Sequence, residues 1–313
     1  MGLYVLRRLI SAIAVMAVVG MFIFLLLRLV PGDPADAIAG PKATPQMVAA
    51  IREQLGLNEP LPVQFVHWAL GIISGNLGIS IIAGLPVLTL VSQRLEPTIS
   101  LSILTMILSV TAGVSFGIFA AWRAGGFVDR MLIAFSALGY SVPVFVVGYF
   151  LAYFFAIEMR WLPVQGYVSI SHGVGPWFMH LVLPAVALSL SYISFIGRIT
   201  RASMLEVLSE DYMRTAAAKG ASTYSMLFHH ALKNAGAPIL TVIGVSFAYL
   251  ISGVVITETV FNLPGIGRLV VDAINGRDYP VIQGVLILVS GLYVLINLAV
   301  DLAYPLVDPR IRY

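Results

Sequence analysis

Six stretches of the chain carry no Asp, Glu, Lys or Arg: 9–27, 97–122, 131–157, 161–197, 234–257 and 279–300. At about 1.5 Å per helical residue, each can hold the roughly 20 apolar residues that cross about 30 Å of hydrocarbon. The pattern predicts six membrane helices near 9–29, 97–121, 131–156, 179–197, 237–257 and 281–303. The fourth stretch is longer than one span, and Gly173, Gly175 and Pro176 put its first part in a loop. Polar positions gather in two connections. The larger, 31–96, opens on "PGDP", where two prolines and a glycine dictate a turn. Thr44 then reads as a helix N-cap with Pro45 at the first helical position. Met47, Val48, Ile51 and Leu55 form one stripe, and Gly56 is the stop. A second amphipathic piece begins near Pro62, with Phe65, Trp68, Ala69, Ile72 and Ile73 on its apolar side.

The other connection, 198–236, contains "SEDYMRTAAAKGASTYSMLFHHALKN". Ser209 is placed to cap a helix over 210–219, with Glu210 and Asp211 in its first turn, Lys219 in its last and Gly220 just beyond. Acid first and base last suits the helix dipole, and glycine suits the left-handed residue that closes a helix. Ala216, Ala217 and Ala218 keep this helix slender, so another backbone can approach it closely. At about 15 Å it is marginal in isolation, and it shows no wide apolar face for lying on a bilayer. Docking into a groove on a cytoplasmic partner is the better reading. Ser222 starts a further helix, with Tyr224, Leu227, Phe228, Ala231 and Leu232 on one side and a break at Gly236 and Pro238.

Composition agrees with a membrane protein. Of 313 residues, 59% are hydrophobic and 11% charged, against the quarter expected of a soluble domain. Arg7 and Arg8 precede the first apolar run, but "LRLVPGDP" lacks a small-residue cleavage pattern, so that run is expected to stay as an anchor. Lys and Arg then set the orientation. With an inside N-terminus, the inner face carries eleven: Arg7, Arg8, Arg123, Arg130, Arg198, Arg201, Arg214, Lys219, Lys233, Arg310 and Arg312. The outer segments carry six: Lys42, Arg52, Arg94, Arg160, Arg268 and Arg277. Both termini are therefore expected in the cytoplasm. The net charge of +3 fits anchoring against anionic lipid and requires no nucleic acid.

Catalytic chemistry is hard to assemble from these residues. There is no cysteine, no Walker-type phosphate loop, no Gly-x-Gly-x-x-Gly fingerprint and no HExxH pair. Adjacent His229 and His230 point in different directions on a helix, while His67, His172 and His180 stand apart. The chain is read as a non-enzyme that binds no cofactor or metal of its own. A secondary carrier needs ionisable groups near mid-membrane; here Glu258 and Asp301 fall at predicted span ends. They either seal gates through hydrogen bonds or sit at the interface. Ser141 and Pro143 interrupt a long apolar helix in "SVPVF", as a packing kink or as part of an aqueous route.

"RTAAAKG" followed by "ASTYSMLFHHALKNAGAPI" resembles the coupling loop of bacterial ABC importer permeases, more narrowly the first membrane subunit of the dipeptide/oligopeptide/nickel family. "YVLRRL", "VPGDPA", "LGLNEPLPVQF", "GNLGIS", "RLEPTISL", "ETVFNLPGIGRLVVDAI", "RDYPVIQG" and "DPRIRY" extend the likeness almost end to end. In the general pattern of Glu-Ala-Ala, three residues and Gly, Arg214 stands at Glu, Thr215 and Ala216 at the alanines, and Gly220 at the glycine. Arg214 is the form usual in the peptide branch, as is Lys233 in place of the closing proline. Ala217 departs from it by standing where that branch has a second Arg, which implies a weaker polar contact to the ATPase. The resemblance implies an all-α, six-span type I importer permease, a single domain over 1–313 in the bacterial inner membrane. Within it, 31–96 is the extracytoplasmic loop and 198–236 the cytoplasmic coupling loop. It implies four kinds of partner: a second homologous permease making a heterodimer, two cytoplasmic ATPases using ATP and Mg2+, a solute-binding protein outside, and the lipid bilayer. Glu210, Asp211, Arg214, Thr215, Ala216, Ala217, Lys219 and Gly220 would couple the chain to the ATPases. The cargo implied is a dipeptide or short oligopeptide, with glutathione or a nickel chelate as alternatives; a secondary transporter or channel is a distant rival.

Overall fold

Eleven principal α-helices carry the chain in the computed structural model, which describes residues 2–29, 35, 39, 43–54 and 56–307. They are α1 (Gly2–Leu29), α2 (Pro45–Gln54), α3 (Leu61–Ile73), α4 (Val87–Trp122), α5 (Phe127–Ser141), α6 (Val144–Leu151), α7 (Val174–Leu208), α8 (Asp211–Ala218), α9 (Gly236–Val260), α10 (Ile266–Asn275) and α11 (Tyr279–Val307). Ala152–Glu158 extends α6 as a π-helical turn, and Ser225–Ala231 is a second. Among the described residues, five helices are long and apolar enough to cross a membrane: α1, α4, α7, α9 and α11. The bent pair formed by α5 with α6 and its extension is the sixth candidate. The expected turn at 31–34 and the terminal "DPRIRY" lie outside the described residues.

The helices overrun their predicted ends. α4 starts at Val87, so Arg94 and Glu96 ride on it, and α7 continues to Leu208, so the inner connection begins as helix rather than loop. Backbone hydrogen bonding explains both extensions, because a helix that continues satisfies the groups that a loop would leave open. Pro184 stays inside α7, buried, whereas Pro143 separates two helices that meet at 103°.

The described chain falls into two compact units. In that formed by Glu96–Gly267 with residues from Leu295 onward, α7 is the central helix, packed by α5, α6 and α9. Lipid tails are as apolar as leucine, so close packing of small residues has to hold such helices together. Gly113 and Gly117 on α4 provide it. A Cβ at Gly117 would stand 2.5 Å from the Thr200 Cβ and 2.7 Å from the Gly197 carbonyl on α7. In the unit formed by Gly2–Leu95 with Arg268–Val294, α3 rests on α1: Phe24 is buried and meets Phe65 edge-on at 5.2 Å and Trp68 at 5.6 Å. Ile73, expected on the apolar side of α3, is 82% exposed, because it follows the last turn that faces α1. Here too the "GNLGIS" and "RDYP" segments join. Asp278 is buried and accepts from the Ser80 hydroxyl and from the Ile81 and Ile82 amides at 3.1 and 3.3 Å.

Candidate functional site

α8 is eight residues long, about 12 Å, and too short to persist unsupported. One residue ties it down. Met213 is 1% exposed and sits among Ile118, Met204, Leu227, Ala231 and Ile239. The Asn234 amide adds a hydrogen bond to the Tyr212 hydroxyl at 3.0 Å. The remaining surface faces outward: Asp211, Arg214, Thr215, Ala217, Ala218, Lys219 and Gly220 are exposed, and Ala216 is half-buried. Asp211 and Arg214 lie 3.5 Å apart, a solvated pair that contributes little to stability. The Thr215 hydroxyl donates to the Asp211 carbonyl at 3.2 Å.

Both ends of α8 follow from local chemistry. Gly220 has φ +83°, its amide donates to Ala217 O at 3.0 Å and the Ala221 amide donates to Ala216 O at 3.1 Å. This pair of bonds is a Schellman closure, which favours glycine at the left-handed position. The N-terminal cap is Glu210 rather than Ser209. Because α7 runs on to Leu208, Ser209 is consumed in ending that helix, its hydroxyl donating to Glu206 O at 2.7 Å. Beyond α8, Leu227 and Ala231 are buried as expected, but Tyr224 and Phe228 are exposed and lie against each other with tilted rings, centroids 4.8 Å apart. Tyr224 directly precedes the π-helical turn Ser225–Ala231, and Phe228 lies within it.

The other expected residues lie elsewhere. Ser141 ends α5, exposed, with its hydroxyl on Ala137 O at 2.9 Å, and Pro143 begins α6. Asp301 is half-buried on α11. Glu258 is fully buried near the end of α9. The Thr98 hydroxyl donates to its Oε1 at 2.5 Å and accepts the Ile266 amide at 2.8 Å, so the "LPGIG" turn folds back over the carboxylate.

Two polar constructions gave no local sequence signal. Arg201 on α7 donates through Nε and Nη2 to the two oxygens of buried Asp129 on α5, and the Gly125 amide donates to Asp129 Oδ2 at 2.7 Å. The short inner loop is thereby fastened to α7. On the side expected to face outward, Glu96 Oε1 accepts from the Tyr167 hydroxyl at 3.0 Å, the Ser169 hydroxyl at 2.8 Å and the Ile170 amide at 2.9 Å. Burial pushes the Tyr167 hydroxyl above its ordinary pKa, which keeps it a donor. Among the described residues, no cluster of three or more His, Asp or Glu side chains is arranged to hold a metal ion.

The chain matches the family model of the binding-protein-dependent transport system inner membrane component over residues 113–313, and that of its N-terminal membrane component over 1–102. It is 77% identical, over the full length of both chains, to the "Probable peptide ABC transporter permease protein y4tP" of Sinorhizobium fredii. It is 42% identical, over 99% of each chain, to the glutathione transport system permease protein GsiC of Salmonella typhimurium. In fold it resembles a chain of the inward-facing MetNI methionine ABC transporter, with a TM-score of 0.60 and 17% identity over 71% of this chain and 97% of that one. A helical chain that crosses the membrane repeatedly and matches these permeases over nearly all its residues belongs to the binding-protein-dependent inner-membrane components, as a non-catalytic permease subunit of a bacterial inner-membrane ABC importer of the peptide/nickel family.

Proposed function

We propose that this chain pairs with a second, homologous permease subunit to form the pathway for dipeptides or short oligopeptides. A solute-binding protein delivers cargo outside, and two cytoplasmic ATPases, holding ATP and Mg2+, drive the cycle through α8. The observation that carries this reading is the construction of α8. One buried methionine fixes the helix to the body, and a narrow alanine-and-charge surface is left outward. Such an element moves as a rigid peg, and it couples two sites if its contacts differ between their states. Arg214, Thr215, Ala217, Lys219 and Gly220 are the exposed groups that an ATPase groove would meet. Glu210 and Asp211 at the N-terminus and Lys219 at the C-terminus complement the helix dipole. Ser141 and Pro143 at the bend, Glu258 and Asp301 are proposed to shape or gate the pathway.

Replacing Gly220 tests the coupling role. A Cβ there would meet no neighbouring atom within 4 Å, and the exposed position leaves a larger side chain room toward solvent, so the strain falls on the backbone. Gly220→Trp is expected to insert and fold normally but to lose ATPase co-purification or solute-stimulated ATP hydrolysis. Normal values for both would refute the coupling role. Peptide is preferred as cargo because the relative at 77% identity is named for peptide; the relatives named for glutathione share about 42%. The ligand that co-purifies with the cognate binding protein decides between the two.

A further inference from the structure

α9 carries no charge from Gly236 to Thr257 and packs closely on two sides. A Cβ at Gly253 would stand 2.6 Å from the Leu188 Cδ1 on α7, and one at Gly244 would stand 2.7 Å from the Val300 Cγ2 on α11. A third side is exposed. It holds Thr241, Val245, Tyr249, Ser252, Ile256 and Thr259, three or four residues apart along one face.

Hydroxyls distinguish this side from a lipid-facing one. Thr241, Ser246, Thr257 and Thr259 on α9 each donate to the carbonyl four residues back, at 2.8, 2.7, 2.9 and 2.9 Å. A hydroxyl bonded in this way needs no partner outside its own helix, which hydrocarbon requires. The Ser252 hydroxyl makes no such bond, and neither it nor the Tyr249 hydroxyl has a hydrogen-bond partner among the described residues. Tyr249 is 64% exposed and sits about 20 Å from the Gly236 end of α9 and about 16 Å from the Val260 end. Tyrosine on a lipid-facing surface belongs at the headgroups. At this depth its hydroxyl would be stranded.

α4 supplies the contrast. A Cβ at Gly113 would stand 2.9 Å from the Ile196 Cβ on α7, and one at Gly117 would stand 2.5 Å from the Thr200 Cβ, so the two helices run in parallel. Eight residues before Ile196 comes Leu188, the neighbour of Gly253, which sets Thr105 of α4 level with that part of α9. Ile103 and Ile107 on either side of Thr105 are exposed and wholly aliphatic, as a helix turned to lipid should be.

We infer that the Tyr249 and Ser252 side of α9 lines a water-filled stretch of the solute pathway, where the two hydroxyls meet water and the backbone of a passing peptide. The inference rests on the pairing of two permease subunits proposed above, between which such a stretch would run. Uncharged hydroxyls suit this duty. They offer donors and acceptors that any peptide backbone can use, and they hold none too tightly to leave. A packed contact with the second permease would favour small residues, as at Gly244 and Gly253, over a projecting tyrosine.

The chain has no cysteine, so thiols can be introduced singly. Tyr249→Cys, Ser252→Cys, Ile103→Cys and Ile107→Cys are compared in the complete importer in proteoliposomes. The probe is a charged methanethiosulfonate reagent on both sides of the membrane, first without nucleotide and then after trapping with ATP and vanadate. Modification is read from the mass of this chain. Thiols react as thiolates, which apolar surroundings suppress, so the two α9 thiols are expected to react about ten-fold or more faster than the two α4 thiols in at least one state. If Tyr249→Cys fails to assemble, the near-isosteric Ser252→Cys decides alone. α9 thiols no faster than α4 thiols in both states would overturn the inference, whether lipid or the second permease covers them. That result would leave the role of α8 standing, and an importer that carried another solute or was uncoupled at Gly220 would still show the labelling contrast.

Discussion

At Glu258 the chain seals a carboxylate completely away from solvent and packs Gly265 and Gly267 against it without room for a side chain on either. A Cβ at Gly265 would overlap the carboxylate itself, and one at Gly267 would come within 2.6 Å of the Val255 Cα. Thr98 acts here as a relay, its single hydroxyl serving the carboxylate as donor and the Ile266 amide as acceptor. Buried polar groups are costly to leave without a partner, and an isosteric Val would take a partner from two of them at once. Thr98→Val is therefore expected to destabilise the protein by about 1–3 kcal/mol, and Thr98→Ser, which keeps the hydroxyl, by much less. Gly265→Ala should cost about as much through overpacking, about 1–3 kcal/mol. Denaturation in a fixed detergent measures all three, and equal midpoints for Thr98→Val and Thr98→Ser would dismiss the relay. Sequence reading singled out Glu258 and offered a hydrogen-bonded gate or the interface for it. It had no means of finding Thr98, which is 160 residues away and carries no local sign of its partner.

α8 shows what can be read from an isolated element and what cannot. Gly220 was legible because only a left-handed residue closes a helix in this way, and glycine adopts that conformation without strain. The cap at the other end was misplaced because Ser209 is a good N-cap in isolation, but α7 reaches it first. Met213 was invisible for a different reason: one apolar residue in a charged octapeptide makes no stripe, yet it carries most of the attachment. Its truncation should be disproportionately damaging. Met213→Ala removes a fully buried side chain, a change worth about 2–5 kcal/mol in a well-packed core. The exposed face of α8 stays chemically unaltered. The expected outcome is a complex that still assembles but hydrolyses ATP without transport, with faster amide exchange over Asp211–Ala218. Met213→Leu, which preserves volume, should restore both. Unchanged exchange in Met213→Ala would mean that the cluster does not hold the helix. Asp129 and Arg201 fall in the same class of hidden contacts, since charges 72 residues apart become a pair only when α5 and α7 are placed side by side.

Across the whole molecule, the order of the membrane segments could be read directly, and their number to the five helices and one bent pair found, because hydrocarbon tolerates so few charges, whereas helix ends could not, because helices continue wherever backbone groups need partners. The same contrast bears on how an importer divides its work between the two sides of the membrane. Inside, α8 is anchored by a buried residue. In the segment proposed to lie outside, α2 has no fully buried residue among those whose burial is described, and at its start the Thr44 hydroxyl and carbonyl accept the Met47 amide at 3.4 and 3.0 Å. A segment whose described residues contribute no core is a candidate for removal without unfolding the rest, so its loss should report on partner docking rather than on stability. Deleting residues 44–56 is accordingly expected to lower uptake driven by the binding protein about ten-fold or more, within the range of ordinary site-to-site coupling, while basal ATP hydrolysis by the assembled complex stays within about two-fold. Proteoliposomes loaded with ATP and supplied with binding protein outside measure both quantities in one preparation. Loss of both in equal proportion would place α2 among the elements that hold the fold together; loss of neither would remove 44–56 from the outer docking surface and leave that role to other extracytoplasmic segments.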